Sequence, residues 1–477
     1  MLVVLGFAMI AVFMTLVMTK RATPIATLIL VPIIFGLFTG AGLGLSDMII
    51  ESFLKLAPTA GLLFFAIMFF GTMIDVGLFD PLIRLILRFV GNHPTRLVVG
   101  TALLTSIVSL DGDGSTTFII VTSAFLPIYL RLGMSPVILT VVAAMSNGVL
   151  NTVPWGGSTA RAAAALNVSP IDIFVPMIPS IAAGIGAVLV LAYLMGRSET
   201  KRLGRLELTE SPGFLRRADA VSEEIQAGSS RRFRDRSAQE NAAPAWNSSV
   251  VVTNNFAVPV DDEGKNILDR PNARPKLIWF NLALTLAVMT VLVMDITEPV
   301  VIFLVAAALA LVVNFPRIQE QSAQIKAHAS SIVSVVGMVF AASVLTGVMS
   351  GTGMVEAMAA WLVSVIPPVL GPFMAVIAGI LSIPLTFIMT NDAFYFGVLP
   401  ILAETAGHFG IEPVEMARAS LVGQALHQSS PLVASFLLLI GLANVNLGEH
   451  FKKVIWRGTI VALVMLAVGG FIAYPLF

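Results

Sequence analysis

Cysteine is absent from this 477-residue chain, which excludes disulfides, thiolate metal sites and cysteine nucleophiles. Charge is scarce as well. Only 12% of residues are Asp, Glu, Lys or Arg, and 28 basic residues balance 28 acidic ones, so neither sign offers a surface for nucleic acid. No Gly-x-x-x-x-Gly-Lys-Ser/Thr loop occurs to cradle a nucleotide phosphate. The first apolar stretch, 2–18, has neither the basic residues that precede a secretory leader nor the small-residue cleavage site that follows one, and reads as a retained helix.

What is abundant is apolar: 57% of residues are hydrophobic and mean hydropathy is +0.92. Such a chain is expected to be an all-α, multi-pass protein of a cell membrane. A hydrocarbon core of about 30 Å takes roughly 20 residues of helix. That ruler places about ten spans, near 2–19, 23–40, 59–77, 136–165, 172–195, 277–294, 299–315, 329–350, 413–445 and 454–474. Lys and Arg collect in alternate loops, around Lys20, Arg84, Arg131, Arg197–Lys276, Arg317 and Lys452, while the opposite loops carry Asp47, Glu51, Asp172, Glu298, Glu356 and Glu412. Positive charge stays on the cytoplasmic side, so both termini are expected to face out.

The chain divides into a first membrane repeat (1–195), a polar, mixed-charge cytoplasmic linker (196–276) expected to be disordered, and a second membrane repeat (277–477). Shifted by 276 to 277 positions, the two repeats match where it matters for backbone shape. Gly71, Met73, Gly77 and Asp80 fall on Gly347, Met349, Gly353 and Glu356, and Gly133, Pro136 and Pro154 fall on Gly410, Pro413 and Pro431. Five spans and a hairpin per half, an odd number of crossings, would turn the second half upside down, the inverted repeat of many secondary transporters.

The hairpins are read from two pairs of arms too short to cross. Residues 96–110 and 116–130 would each rise about 22 Å at 1.5 Å per residue, and both outer ends carry cytoplasmic charge. Between them sits Ser109-Leu110-Asp111-Gly112-Asp113-Gly114-Ser115-Thr116-Thr117. The second pair, 372–389 and 393–405, has the tip Thr390-Asn391-Asp392. Two tilted full spans joined by an exterior Asp-Gly turn are the alternative for the first pair. Carboxylates and broken backbone at membrane depth are costly and mark a substrate site. The tips offer helix-start amides, the hydroxyls of Ser115, Thr116 and Thr390, and the Asn391 amide for an anion; Asp111, Asp113 and Asp392 suit a hard divalent cation or a proton.

Two spans are interrupted at their centres. Asn151, Thr152, Pro154, Gly156, Gly157 and Ser158 break the first, with Arg161 following; Gln424, His427, Gln428, Ser429, Ser430 and Pro431 break the second. Pro removes a backbone donor and Gly-Gly lets amides turn toward a ligand, while His427 titrates near neutrality and is a candidate proton carrier or carboxylate partner. Each of these polar residues also has a simpler reading, bonding a neighbouring helix or its own carbonyls. Asp75 and Arg418, at span ends, read as structural, and the amphipathic stretches 78–91 and 355–366 read as surface helices linking the scaffold to the hairpins.

In Ser109–Thr117, Asn151-Thr152-Val153-Pro154-Trp155-Gly156-Gly157, Thr390-Asn391-Asp392-Ala393-Phe394-Tyr395-Phe396 and Pro413-Val414-Glu415-Met416-Ala417-Arg418-Ala419-Ser420, the chain resembles the CitMHS family of citrate-divalent metal:proton symporters, within the ion transporter superfamily. The resemblance covers nearly everything outside 200–275. It implies proton-coupled uptake of citrate complexed with Mg²⁺ or Ca²⁺, with no resident cofactor since the metal travels as cargo. It also implies a homodimer working as an elevator, hairpins and broken helices moving against a scaffold. Departures at Thr390 and at Gln428-Ser429-Ser430 leave the metal and the anion open. Charge is consistent with a complex: free citrate carries about three negative charges, its metal complex about one, and Arg161 and His427 are the only cations proposed at the site. Rival readings are a dicarboxylate or gluconate-like anion carrier, a channel, and an intramembrane aspartyl protease. The last is disfavoured because Asp111 and Asp113 share one turn.

Overall fold

The computed structural model describes residues 1–19, 21–90, 93–112, 114–203, 272–294 and 296–470. Among these residues every regular element is helical. The disorder expected of the linker falls on residues outside the described ones, except that the helix before it runs on to Leu203 and the chain resumes at 272.

In the first half, α1 (Leu2–Met18) and α2 (Pro24–Phe38) lead to the long α3 (Gly44–Asp75) and the short amphipathic α4 (Asp80–Val90). A helical pair follows, α5 (Pro94–Val108) and α6 (Gly114–Arg131), joined through a 3-10 turn at Ser109–Asp111. Next come a broken helix, α7 (Pro136–Leu150) and α8 (Gly157–Leu166), and α9 (Pro170–Leu203). The second half repeats this order. It holds α10 (Ile278–Val293), α11 (Pro299–Asn314), the long α12 (Ile318–Gly351), the short α13 (Met354–Val365), and the pair α14 (Met374–Ile388) and α15 (Leu399–Gly407). A helix broken into α16 (Pro413–Leu421), α17 (Gln424–His427) and α18 (Ala434–Ala443) then precedes α19 (Leu447–Val468).

Local chemistry sets these ends. Pro94, Pro136, Pro299 and Pro413 occupy first-turn positions, where a missing N–H costs nothing and the fixed φ fits a helix. The glycine pairs matched in sequence are matched in backbone too. Gly77 and Gly353 have φ of 81° and 74°, and Gly133 and Gly410 have φ of 65° and 83°, a left-handed conformation that stops a helix. After the second pair the same closing bond forms in each half, Met134 N–H to the Tyr129 carbonyl at 2.9 Å and Ile411 N–H to the Ala406 carbonyl at 3.2 Å.

Among the described residues, five helical stretches, Gly44–Asp75, Pro170–Leu203, Pro275–Leu292, Ile318–Gly351 and Pro368–Ile388, are long and apolar enough to cross a membrane, and eight further apolar helices have 10–17 residues. Three expected spans prove longer than hydropathy drew them. Residues 59–77 are the end of α3, 329–350 the end of α12, and 172–195 the middle of α9. A hydropathy ruler registers only the apolar part of a helix, and the polar turns carrying Asp47, Glu51 and Lys55, or Glu320 and Lys326, are invisible to it. Helix α3 also runs through Pro58. The last expected span, 454–474, lies in α19, which begins earlier, at Leu447; residues beyond 470 are not described.

The two long helices pack against each other along their length, with α2 lying on α12 and α11 on α3, the same arrangement exchanged between halves. The helical pairs and broken helices form a second group around α7, whose side chains from Val137 to Leu150 are all buried. There Gly148 lets α7 touch the other broken helix, because a Cβ at this position would collide with the Gln424 carbonyl.

Candidate functional site

The first tip is shaped by backbone. The 3-10 turn Ser109–Asp111 ends at Gly112, whose φ of 78° reverses the chain and whose N–H bonds the Ser109 carbonyl at 3.1 Å. This turn rests on the break in α7 and α8. Trp155 donates its indole N–H to the Leu110 carbonyl at 2.7 Å, and Asn147 donates its amide to Ser109 Oγ at 2.9 Å. The Trp155 ring is stacked on Phe70 of α3 with centroids 4.0 Å apart, so the tip, the break and the long helix are joined at one point. Asn147 Oδ1 is buried without a hydrogen-bond partner, and Gly114, which opens α6, lies beside it. Asp113 lies outside the described residues, and Asp111 is placed here by its backbone alone.

The second tip is held by side chains. Thr390 Oγ1 accepts from the Ala393 N–H at 3.2 Å, capping a helix whose first stretch, Ala393–Val398, is a π-helix. Asn391 donates to Ser158 Oγ at 3.1 Å and accepts from Gln424 Nε2 at 3.0 Å. Ser158 also accepts from Asn151 at 3.1 Å and donates to Gln424 Oε1 at 2.6 Å, while Gln424 reaches the Tyr395 hydroxyl at 3.0 Å. Asp392 receives the Arg161 Nε–H at 2.5 Å, and the same guanidinium is steadied by Nη1–H donated to the Gly157 carbonyl at 2.7 Å. Ser158 is thus the node where the second tip and both broken helices meet. Asn147 in the last turn of α7 and Asn151 just after it, joined by the Asn151 N–H to the Asn147 carbonyl at 2.8 Å, extend the chain of contacts to the first tip.

A cavity of about 390 Å³ opens beside this chain of contacts, within the range of small-molecule sites. The first tip and break contribute Gly112, Thr116, Trp155 and Gly157; α3 contributes Gly71 and Asp75, and α12 contributes His328, Ser331 and Ser334.

Of the residues singled out in the sequence, Asn151, Ser158, Arg161, Asn391 and Asp392 converge in one network, and Thr116 and Gly157 line the cavity. Ser115 sits in the first turn of α6 beside the tip. Gly156 is needed for the turn, since a Cβ there would strike the Asn151 carbonyl oxygen. Other residues turn to the frame. Thr152 donates to the Val149 carbonyl at 2.6 Å, and Thr390 is a cap. His427 meets the Thr386 carbonyl through Nδ1 at 2.5 Å, and Ser430 donates to the Phe387 carbonyl at 2.7 Å. Ser429 contacts Nε2 of His450 at 3.2 Å, and Nδ1 of that ring contacts Thr140 at 3.0 Å. These contacts tie the second break to the end of α14 and to α19. Sequence reasoning passed over Asn147, Trp155, Tyr395, Gln424 and His328 as site residues and took Asp75 as structural. Gln424 had a local signal, an amide beside a helix break; the others are chosen by partners far away in the chain.

A chain of apolar helices in which one broken helix and one short helical pair join two long helices around a polar cavity is a multi-pass membrane transporter rather than an enzyme. The sequence pattern of the citrate transporter family CitMHS matches residues 2–423, so the chain belongs to that family. Two proteins of Bacillus subtilis (strain 168) resemble it over nearly their whole length. A "Citrate transporter" is 44% identical over 470 residues, and a "Mg(2+)/citrate complex secondary transporter" is 43% identical over 469, each match covering 98% of both chains. A third, "Uncharacterized transporter YraO", is 40% identical over 466 residues, covering 98% of this chain and 97% of that protein. Among solved structures, the YdaH transporter of Alcanivorax borkumensis aligns with a TM-score of 0.49 and 15% identity, covering 88% of this chain and 86% of that one.

Proposed function

We propose that this protein is a secondary active transporter that carries citrate complexed with a divalent metal ion, of the Mg²⁺ or Ca²⁺ class, together with protons. The observation that supports this most is the meeting of the second tip and both breaks at Ser158, with the first tip resting on Asn147 and Trp155 of the same break, beside a cavity whose polar side chains are mostly hydroxyls. Arg161, the cation of the network, is already committed to Asp392. A trivalent anion would find little net positive charge there, and each close like-charge pair costs about 4 kcal/mol at an effective dielectric of 20. A metal complex of about one negative charge suits such a site, with Asp111 and Asp113 as further oxygen ligands for the metal. The similarity to a Mg(2+)/citrate complex secondary transporter points the same way.

In this reading the pairs α5/α6 and α14/α15 are re-entrant hairpins of two inverted repeats, with both termini outside the cell. The hairpins and broken helices form a carriage that slides as an elevator against a scaffold built on α3 and α12, in a homodimer. The division into two packed groups of helices supports it. Uptake of labelled citrate into vesicles is the test, run against a panel of divalent cations with and without an inward proton gradient. Uptake should require a divalent cation and rise with the gradient. Citrate uptake without metal would overturn the complex as cargo, and metal-dependent uptake of a dicarboxylate in preference to citrate would reassign the anion.

A further inference from the structure

In the cavity that the first tip lines, α3 and α12 bring Asp75 and His328 together, with His328 Nε2 3.0 Å from Asp75 Oδ2. Gln324, one turn before His328, places its side-chain N–H₂ on Asp75 and lies 3.0 Å from His328 Nε2. That ring nitrogen therefore has a donor and an acceptor in reach. The Gln324 amide can serve its lone pair when the imidazole is neutral, and the Asp75 carboxylate can accept its proton when the imidazole is charged. The ring lies over Gly71 of α3, where a Cβ would come within 2.5 Å of it, so the helix surface is hollowed for this imidazole.

The matching crossing in the other half shows that helix packing does not need these groups. Shifted by 276 positions, Gly71, Asp75, Gln324 and His328 correspond to Gly347, Gly351, Met48 and Ser52. The contacts correspond as well: a Cβ at Gly347 would meet Ser52, one at Gly351 would meet Met48, and Ser52 is bonded to Thr346 at 2.8 Å. One crossing is closed with Met and Ser, the other with a carboxylate and an imidazole on the wall of a cavity and a buried amide beside them. A part-buried ionisable pair on a cavity wall, where the matching crossing closes without one, marks function.

We propose that Asp75 and His328 form the proton-loading site of this transporter, on the wall of the cavity that the first tip also lines; this rests on the reading of the protein as a proton-coupled symporter. A proton arriving through the cavity adds to the His328 imidazole, and the pair passes from one negative charge to none. An anionic cargo can then share the cavity with Asp75 without repulsion, so cargo and proton load together. Loss of the proton restores the charge and expels the cargo. A metal ion fits the pair less well, since among the described residues no third His, Asp or Glu completes a ligand set. The charges around His328 are few. Besides Asp75, α3 has Asp47, Glu51 and Lys55 twenty or more residues away, α8 has Arg161, paired with Asp392, and α2 and α11 have no ionisable residue. On α12 itself Lys326 is exposed, and Glu320 lies with Arg274 and Arg317 beyond the next two turns.

The test compares the native protein, His328→Gln, Asp75→Asn and Ser52→Ala in vesicles, reading the ratio of Mg²⁺-citrate uptake with and without an inward proton gradient. The native ratio should be about 5 or more, and both His328→Gln and Asp75→Asn should bring it to about 1 while Ser52→Ala leaves it unchanged. A native ratio in His328→Gln, or the same collapse in Ser52→Ala, would overturn the proposal. Where a variant carries too little cargo for a ratio, proton uptake by the purified protein on adding Mg²⁺ and citrate reads the site directly: its loss in His328→Gln supports the assignment, and its persistence at the native level refutes it. Failure of the native chain to take up citrate with any divalent cation would instead remove the parent reading.

Discussion

The first tip turns on the left-handed Gly112 and leans on an indole and an amide from its own half, while the second is knit by Asn391 and Asp392 to residues more than 230 positions earlier in the chain. The first is therefore set by its backbone and by groups of its own half. The second is held by charge and amide pairing, so its one carboxylate, Asp392, already has a cation. Two tips that look alike in sequence, each polar and each at the end of short arms, are thus built differently: one on its backbone, the other on side-chain pairs that reach across the two halves.

That difference makes graded predictions. The largest effect is expected at the second tip. Asp392→Ala strands Arg161 in a part-buried site, a loss of about 3–5 kcal/mol, and should lower citrate uptake at least 100-fold, since 1.4 kcal/mol is tenfold. Adding Arg161→Ala should restore part of the thermal stability of the purified protein; strictly additive losses would mean the two groups do not lean on each other. At the first tip, Gly112→Ala imposes a left-handed conformation costing about 1–2 kcal/mol and puts a methyl 3.2 Å from the Trp155 ring. Uptake should fall roughly tenfold with protein levels in the membrane maintained, and native uptake would show that the tip is not set by its backbone.

Smaller again is Trp155→Phe, which keeps the stack on Phe70 but removes the donor to Leu110, a change of about 1 kcal/mol. It should cost about fivefold in uptake, and an effect equal to that of Asp392→Ala would erase the distinction between the tips. The least effect on transport is expected at His427, whose Nδ1–H serves the Thr386 carbonyl inside the frame. His427→Gln should lower stability by about 1 kcal/mol and leave the pH profile of uptake unshifted. A displaced profile would return the imidazole to the proton path.

Much of this architecture was legible without coordinates wherever a local cause acts. Pro136 and Pro413 begin helices, Gly133 and Gly410 end them, and the arms of both short pairs were drawn nearly where they lie, because proline and glycine act on their own backbone. The polar ends of α3 and α12 escaped notice, since hydropathy sees the lipid-facing part of a helix and not its continuation in water. The site was half legible. Asn151, Ser158, Arg161, Asn391 and Asp392 stood out as polar groups at breaks and tips, whereas the roles of Gln424, Tyr395 and Trp155 depended on what faced them.

By itself, then, the order of residues determined the helices, their breaks and the correspondence of the two halves, because those depend on hydration of side chains and on torsions within a few residues. Only the folded chain decided which polar groups become partners. Ser158 and Gln424 are 266 positions apart, and Asp75 and His328 are 253 apart. A hydrogen bond reaches about 3 Å whatever the distance along the backbone, so such pairings exist only once the helices carrying them have packed.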